Sequence, residues 1–140
     1  AMLACMVLGA DGVQMGSRFA ASEEASSHDN FKAEIVKAKE GDTLLSIKKL
    51  TPVRLLKNPF FERIDEAIKR GASKEELQQI LGRGRAKKVM FEGDLVEGEL
   101  EIGQVAGLID EVQPVKTIVA NIIAEYKSEL EQINDGKYQF

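Results

Sequence analysis

The chain has 140 residues, 44% of them hydrophobic and 30% charged, which is ordinary for one globular domain with its own core. Its net charge of −4 argues against a nucleic-acid-binding surface, because such a surface usually needs a basic stripe. The first apolar run, residues 2–8, is too short to span a membrane. We therefore expect neither nucleic acid nor a membrane as a partner.

The same apolar run predicts the end of a helix, with Gly9 as its C-terminal cap. It contains the only cysteine, Cys5, so an intramolecular disulfide is excluded and a reducing, cytoplasmic location is expected. A free cysteine in an apolar run is usually a small buried side chain. We expect Cys5 to be buried rather than nucleophilic.

A short apolar segment, residues 12–15, predicts a buried strand that leads into a turn at Gly16 and Ser17. A turn of this kind directs backbone N–H groups outward, where they bind phosphate. The same pattern is compatible with a tight strand-to-helix connection that binds nothing. Both interpretations stay open on the local pattern alone.

Further along, Ser27 is a candidate N-cap for a helix that runs to about residue 39 and is closed by Gly41. Two apolar runs, residues 43–47 and 53–56, are compatible with short strands that pair with each other. A proline between them biases the chain away from helix and marks the turn.

Three more helices are predicted from their start signals. Asn58 starts the first, as an N-cap followed by a proline at the first helical position. A capping box that begins at Ser73 starts the second, which runs to about residue 81. A short third helix is predicted over residues 85–91.

Residues 92–107 alternate glycine with acidic and apolar residues. The acidic residues suggest a metal site, but loops of oxygen ligands need a tighter spacing than this segment has. We favour a loop followed by a helix that packs through Val105, Leu108 and Ile109, and we assign no metal ligand.

The longest predicted helix begins at Pro114 and runs to about Ile133, with one apolar stripe. The stripe comprises Val115, Ile118, Val119, Ile122, Ile123, Tyr126, Leu130 and Ile133. A monomer does not readily cover a stripe of this length, so we expect a homo-oligomer. The predicted fold class is mainly α with two or three short strands.

The run GADGVQMGSRF, residues 9–19, resembles the last barrel strand of the nitronate monooxygenase family, formerly called 2-nitropropane dioxygenases. The flavin-dependent enoyl-acyl carrier protein reductases belong to the same superfamily. Further matches follow in the family's order and together cover nearly the whole chain. They are residues 28–32, 41–43, 52–54, 57–58, 92–94 and 103–108.

The resemblance implies the C-terminal fragment of an FMN-binding (β/α)8 TIM barrel, a fold that typically needs about 250 residues. Residues 1–40 would supply the last strand, the phosphate loop and the following helix. Residues 41–140 would form a mostly helical extension, and the two parts together would make one compact unit. The earlier strands, and the family's catalytic histidine on one of them, lie outside this sequence.

Two sets of site residues are implied by the resemblance. The cofactor-binding set is Gln14, Met15, Gly16, Ser17, Gly103 and Gln104. The substrate-pocket set is Glu101 and Ile102. The family more often has threonine at the position of Ser17, and either hydroxyl donates to a phosphate oxygen. The only histidine, His28, matches a different family position, so we expect a surface or capping role for it and assign no catalytic residue.

The implied activity is that of an FMN-dependent oxidoreductase resembling nitronate monooxygenase, which oxidises alkyl nitronates with O2. The alternative is a flavin-dependent enoyl-acyl carrier protein reductase, which acts on an enoyl thioester with NAD(P)H. Both act on small molecules. The resemblance implies that the isolated chain carries half of a phosphate site, so we expect it to be inactive. The alternative to an oxidoreductase fragment is a protein of another class, a non-catalytic helical remnant that self-associates.

Overall fold

The computed structural model describes residues 1–136, which form two compact units. The first unit combines Ala1–Met15 with the segment from Gln113 onward, and the second is Gly16–Val112. The helices are α1 (Met2–Val7), α2 (Ser17–Ala20), α3 (Asp29–Lys37), α4 (Pro59–Lys69), α5 (Lys74–Leu81), α6 (Arg85–Glu92) and α7 (Val115–Asn134). The strands are β1 (Thr43–Ser46) and β2 (Val53–Leu56), and a 3-10 helix spans Gln104–Leu108. The division into residues 1–40 and residues 41–140, as two parts of one compact unit, stays a prediction.

In the first unit, α1 packs against α7 and ends as the sequence predicts. Gly9 follows the helix with a φ of +98°, a left-handed conformation that favours glycine. The Gly9 amide donates to the Met6 carbonyl at 2.9 Å and the Ala10 amide to the Cys5 carbonyl at 3.0 Å. These two bonds close the last turn of α1 in the way helices commonly end.

The prediction that Cys5 is buried is wrong, because its side chain is exposed. The half-buried residues of α1 are Met2, Leu3 and Met6, which lie together on one side of the helix. Cys5 falls outside that face.

The strand predicted over residues 12–15 is also wrong for this structure. These residues are irregular, and Val13 is 37% exposed. Within residues 1–136 the one sheet is formed by β1 and β2, so this segment has no strand beside it. An extended segment without a partner leaves its backbone hydrogen-bonding groups unpaired, and nothing holds it as a strand.

The long helix α7 has the predicted bounds to within one residue and carries the predicted apolar stripe. Ile118 is buried, whereas Val119, Ile123, Leu130 and Ile133 are each between 36% and 45% exposed. Much of the stripe therefore faces solvent, and association between copies stays a prediction.

The second unit is built around the antiparallel pair of β1 and β2, which confirms the predicted pairing. Thr43 lies opposite Leu56 and Ser46 opposite Val53. Residues 100–102 join the other edge of β2 through an antiparallel bridge between Leu55 and Glu101. The sheet edge thereby fixes the segment that leads into the 3-10 helix.

Two hydrophobic clusters flank this arrangement. One contains Phe31 and Ile35 of α3, Val89 of α6, and Leu100 and Ala106. The other packs α4 and α5 against the hairpin of β1 and β2. Its buried residues are Ile47, Leu55, Phe60, Phe61, Ile64, Ala67, Ala72 and Leu77.

The predicted packing through Val105, Leu108 and Ile109 is confirmed for Ile109 and wrong for the other two residues. Val105 is 44% exposed and Leu108 is 84% exposed, whereas Ala106 and Ile109 are buried. In a 3-10 helix, side chains three residues apart lie on the same side. Val105 and Leu108 therefore share the solvent face, and the buried face belongs to Ala106 and Ile109.

Most helix starts are those the sequence predicts. Asn58 caps α4 and Ser73 caps α5, each accepting a hydrogen bond from an amide in the first turn. For α3 the predicted cap is wrong by one residue, since His28 rather than Ser27 occupies it. The Ser27 hydroxyl instead donates to the Ala20 carbonyl at 2.6 Å.

Asn58 has a second role beyond capping. Its Oδ1 accepts from the Phe61 amide at 2.9 Å, while its Nδ2 donates to the carbonyls of Leu95 and Gly98 at 2.9 and 2.8 Å. The side chain thus ties the start of α4 to the loop that follows α6.

Asn58→Asp separates these two roles. Aspartate caps a helix as well as asparagine does, but it replaces the donor with a charged acceptor facing two carbonyls. We expect the free energy of unfolding to fall by about 2 kcal/mol or more, measured by urea denaturation at pH 7. The control is Ser73→Asp, a cap with no such donor role, which should change it by less than about 0.5 kcal/mol. If both substitutions lower the free energy of unfolding equally, the hydrogen bonds from Asn58 to the loop after α6 do not contribute as proposed.

Candidate functional site

The structure brings together two predicted site segments that are 86 residues apart in the sequence. The Gly103 amide donates a hydrogen bond to the Ser17 hydroxyl oxygen, with N and Oγ 3.1 Å apart. Both residues are half-buried and both belong to the second unit. The short helix α2 also packs against the 3-10 helix. The turn at Gly16 and Ser17 therefore lies beside the segment that begins at Gly103.

Backbone hydrogen bonds hold Gly103 in place from both sides. The Ile102 amide donates to the Arg54 carbonyl at 3.1 Å, which attaches the preceding residue to β2. The Gly103 carbonyl accepts from the Ala106 amide at 3.0 Å, which starts the 3-10 helix. The amide that reaches Ser17 is thus carried by a supported backbone.

Gly16 is exposed and is the N-cap residue of α2, a position that favours glycine over alanine. Its φ of −104° is accessible to any residue, and a Cβ built on it would have no atom within 4 Å. The space beside its backbone is open to solvent. Such a position allows a ligand to approach the main chain closely.

The remaining predicted site residues have varied surroundings. Gln14 is exposed and Met15 is half-buried, and both belong to the first unit. Glu101 and Gln104 are exposed, whereas Ile102 is only 7% exposed and lies in the hydrophobic cluster around α3 and α6. Their roles in ligand binding stay predictions.

Of the two roles expected for His28, at the surface or as a helix cap, the structure shows the cap. Its Nδ1 accepts from the Asn30 amide at 3.1 Å, and its own amide donates to the Met90 carbonyl at 2.7 Å. The imidazole lies against Gly93, where a side chain would collide with the ring and where φ is +72°. Its observed contacts attach the start of α3 to the end of α6.

Arg85 anchors the loop that leads to the site, a role that the sequence analysis missed. Its guanidinium donates to the carbonyls of Ile80 and Leu81 at 3.0 and 2.7 Å, and to the Glu97 carbonyl at 2.8 Å. It also lies over the Phe60 ring, 4.5 Å from the centroid. In the sequence it was one of several basic residues at the start of a short helix, and no local pattern distinguishes it.

The same loop carries two carboxyl groups with opposite pKa shifts. Hydrogen bonds from Arg63, and then from Arg85, lower the pKa of Glu97 to about 2. Burial raises the pKa of Glu99 above its ordinary value, and the neighbouring charge of Glu101 raises it further. Ionised Glu97 therefore stabilises the fold, while ionised Glu99 opposes it.

Residues 1–125 match the family model for nitronate monooxygenase, so the chain belongs to the nitronate monooxygenase family. A probable nitronate monooxygenase from Staphylococcus saprophyticus is 38% identical over 66 residues, covering 46% of this chain and 19% of that protein. This confirms the family that the sequence motifs indicate.

The fold is similar to that of FabK from Thermotoga maritima, with a TM-score of 0.86 and 40% sequence identity. The likeness covers 95% of this chain and 42% of that one. An M276A mutant of the same FabK matches with a TM-score of 0.76 and 37% identity, over 96% of this chain and 39% of that one. The chain spans less than half the length of each of these relatives. Within residues 1–136, no helix combines the length and hydropathy of a membrane span.

Acid titration of Glu97→Gln and Glu99→Gln should give opposite results. The depressed pKa of Glu97 contributes stability above pH about 4.5 that is lost as the pH falls towards about 2. Glu97→Gln should therefore destabilise the chain at pH 7 and have little effect near pH 2. Glu99, with a raised pKa, favours folding below pH about 4.5 and loses that contribution as the pH rises. Glu99→Gln should stabilise the chain at pH 7.

Urea midpoints measured between pH 2 and pH 7 check both signs, since the two residues lie in the same loop and serve as each other's control. A Glu97→Gln effect that does not change with pH would rule out the charge-based explanation.

Proposed function

We propose that this chain is the C-terminal portion of an FMN-dependent oxidoreductase of the nitronate monooxygenase type, and that Gly16 and Ser17 form one side of its phosphate site. The observation that carries the proposal is the hydrogen bond between Ser17 and Gly103. It joins the two short segments, residues 14–17 and 103–104, to which the resemblance assigns contact with the cofactor.

The residues present fit a phosphate monoester. The Ser17 hydroxyl is half-buried and accepts from Gly103, which leaves its proton for an anionic oxygen. Gly16 leaves its backbone open to solvent, as close approach of a phosphate requires. The backbone N–H groups of Gly16 and Ser17 are the other donors that the resemblance implies.

Bound FMN would supply the redox chemistry, and the residues of this chain would hold its phosphate end. Gln14, Met15, Gly103 and Gln104 complete the proposed FMN-binding set. Glu101 and Ile102 are the proposed substrate-side residues. The resemblance implies that the catalytic histidine lies on an earlier strand, so we propose that the isolated polypeptide has no turnover and binds FMN weakly.

A second candidate is an enoyl-acyl carrier protein reductase that uses NAD(P)H. The likeness to FabK favours it, since that likeness covers almost the whole chain at 40% identity. Assays of a longer form with an alkyl nitronate and O2, and with an enoyl thioester and NAD(P)H, separate the two. Turnover of only the enoyl thioester would replace the monooxygenase assignment.

A third candidate, of another class, is a non-catalytic helical module that self-associates. The exposed apolar residues of α7 favour it. Light scattering after size exclusion measures the mass in solution. A stable dimer that binds no FMN would favour this candidate over the flavin site.

Gly16→Ala tests the phosphate site without disturbing the fold. Alanine is compatible with the backbone and meets no atom of the described residues within 4 Å, but it caps a helix less well than glycine does. The free energy of unfolding should therefore change by less than about 1 kcal/mol. The added methyl occupies the space proposed for phosphate, so FMN affinity should fall by about tenfold. We expect a wild-type Kd near the millimolar range, measured by NMR titration with FMN and with riboflavin, which lacks the phosphate.

The matched control is Gly12→Ala, another glycine with open space around it and no part in the proposed site. It should leave FMN affinity unchanged. Wild-type protein that binds FMN no better than riboflavin would overturn the phosphate site. A tight, stoichiometric yellow complex would instead overturn the proposal that half a site is present.

A further inference from the structure

We propose that Gly103 is a positioning residue whose amide orients the Ser17 hydroxyl towards a phosphate group. The inference rests on the proposed function, because it concerns the same phosphate site. In this proposal the Gly103 amide does not contact the flavin itself, because it already donates its hydrogen bond to Ser17.

The direction of the hydrogen bond sets what the hydroxyl can do next. A serine hydroxyl has one proton and two lone pairs. The Gly103 amide has only a proton to give, so at 3.1 Å it must occupy a lone pair of Ser17 Oγ. The hydroxyl proton is then turned away from Gly103 and is available to an acceptor on the open side of the turn. A hydroxyl held in this way is a donor, and a phosphate oxygen is an acceptor.

Ser17 approaches Gly103 so closely that a side chain at position 103 would displace the Ser17 hydroxyl. The backbone there has φ −73° and ψ 164°, which any residue adopts, so conformational freedom is not what is needed. A Cβ on Gly103 would lie 2.9 Å from Ser17 Oγ, closer than real Cβ contacts. Within residues 1–136, and apart from the residues adjacent in the chain, that oxygen is the one atom within 4 Å of such a Cβ. Among the described residues, the Ser17 hydroxyl is therefore the group that a substitution at position 103 would disturb.

The amide also has a firm support. Residues 100–102 are attached to β2, with the Leu56 amide donating to the Leu100 carbonyl at 3.0 Å. The 3-10 helix fixes the backbone on the other side of Gly103. A larger residue at position 103 must therefore be accommodated by turning the Ser17 hydroxyl, because the backbone that carries it is held.

A double-mutant cycle with Gly103→Ala and Ser17→Ala tests this. FMN affinity of the 140-residue chain is measured by NMR titration, with riboflavin as the probe that lacks phosphate. Each single substitution should weaken FMN binding by about tenfold, the loss of one hydrogen bond to a charged group. The double variant should bind no more weakly than Ser17→Ala, because Gly103 acts through that hydroxyl. Riboflavin affinity should be the same in all four proteins.

Two further variants separate positioning from general damage. Gly107 lies in the 3-10 helix that follows Gly103, and the nearest atoms to a Cβ built on it belong to the backbone of Lys39 and Glu40, at 3.0 to 3.1 Å. Gly107→Ala should lower stability while keeping the wild-type preference for FMN over riboflavin. Ser17→Thr keeps the hydroxyl, so it should bind FMN within about twofold of wild type and stay sensitive to Gly103→Ala.

The outcomes distinguish this inference from the function on which it rests. If wild type prefers FMN but the losses from the two alanine substitutions multiply in the double variant, Gly103 does not act through Ser17 and the inference is overturned. A Gly107→Ala variant that loses as much FMN affinity as Gly103→Ala would overturn it as well. If wild type shows no preference for FMN, the phosphate site itself is wrong and the inference falls with it.

Discussion

The pairing of residues 100–102 with the edge of β2 is the constraint on which the candidate site depends. It fixes a backbone segment whose next residue, Gly103, donates to the Ser17 hydroxyl 86 positions earlier in the chain. Neither the turn at Ser17 nor the glycine-rich segment forms a site alone. Together they give a half-buried hydroxyl. Its oxygen accepts a hydrogen bond from Gly103, which leaves its proton for an anion in the proposed site.

The loop before Gly103 is held by side chains that carry no chemistry of their own. Asn58 donates to the carbonyls of two loop residues, Leu95 and Gly98. Arg85 binds Glu97 of the same loop and also donates to carbonyls at the end of α5. These hydrogen bonds involve backbone carbonyls or charged groups. Removing one partner lowers the stability of the fold, because the other partner is left without a hydrogen bond. The charged contacts also make the support of the site sensitive to acid, through Glu97.

The sequence predicts local features of the fold well, because their causes lie within a few residues. The caps at Asn58 and Ser73, the glycine after α1, the pairing of β1 with β2 and the length of α7 all follow from such signals. The strand expected at residues 12–15 needs a partner strand, which no local pattern supplies. The packing of Val105 and Leu108 depends on whether the helix is α or 3-10, a distinction that the pattern does not make. The family motifs identify Ser17 and Gly103 separately, but their contact is a long-range fact that only the structure shows.

Amide hydrogen exchange at Gly103 tests the central contact most directly, because it needs no ligand. If the Ser17 hydroxyl accepts this amide, the Gly103 amide is protected in wild type and exchanges faster in Ser17→Ala. The Ile102 amide, which donates to the Arg54 carbonyl, should keep its protection in both proteins. Equal exchange of the Gly103 amide in wild type and Ser17→Ala would contradict the hydrogen bond that assembles the site.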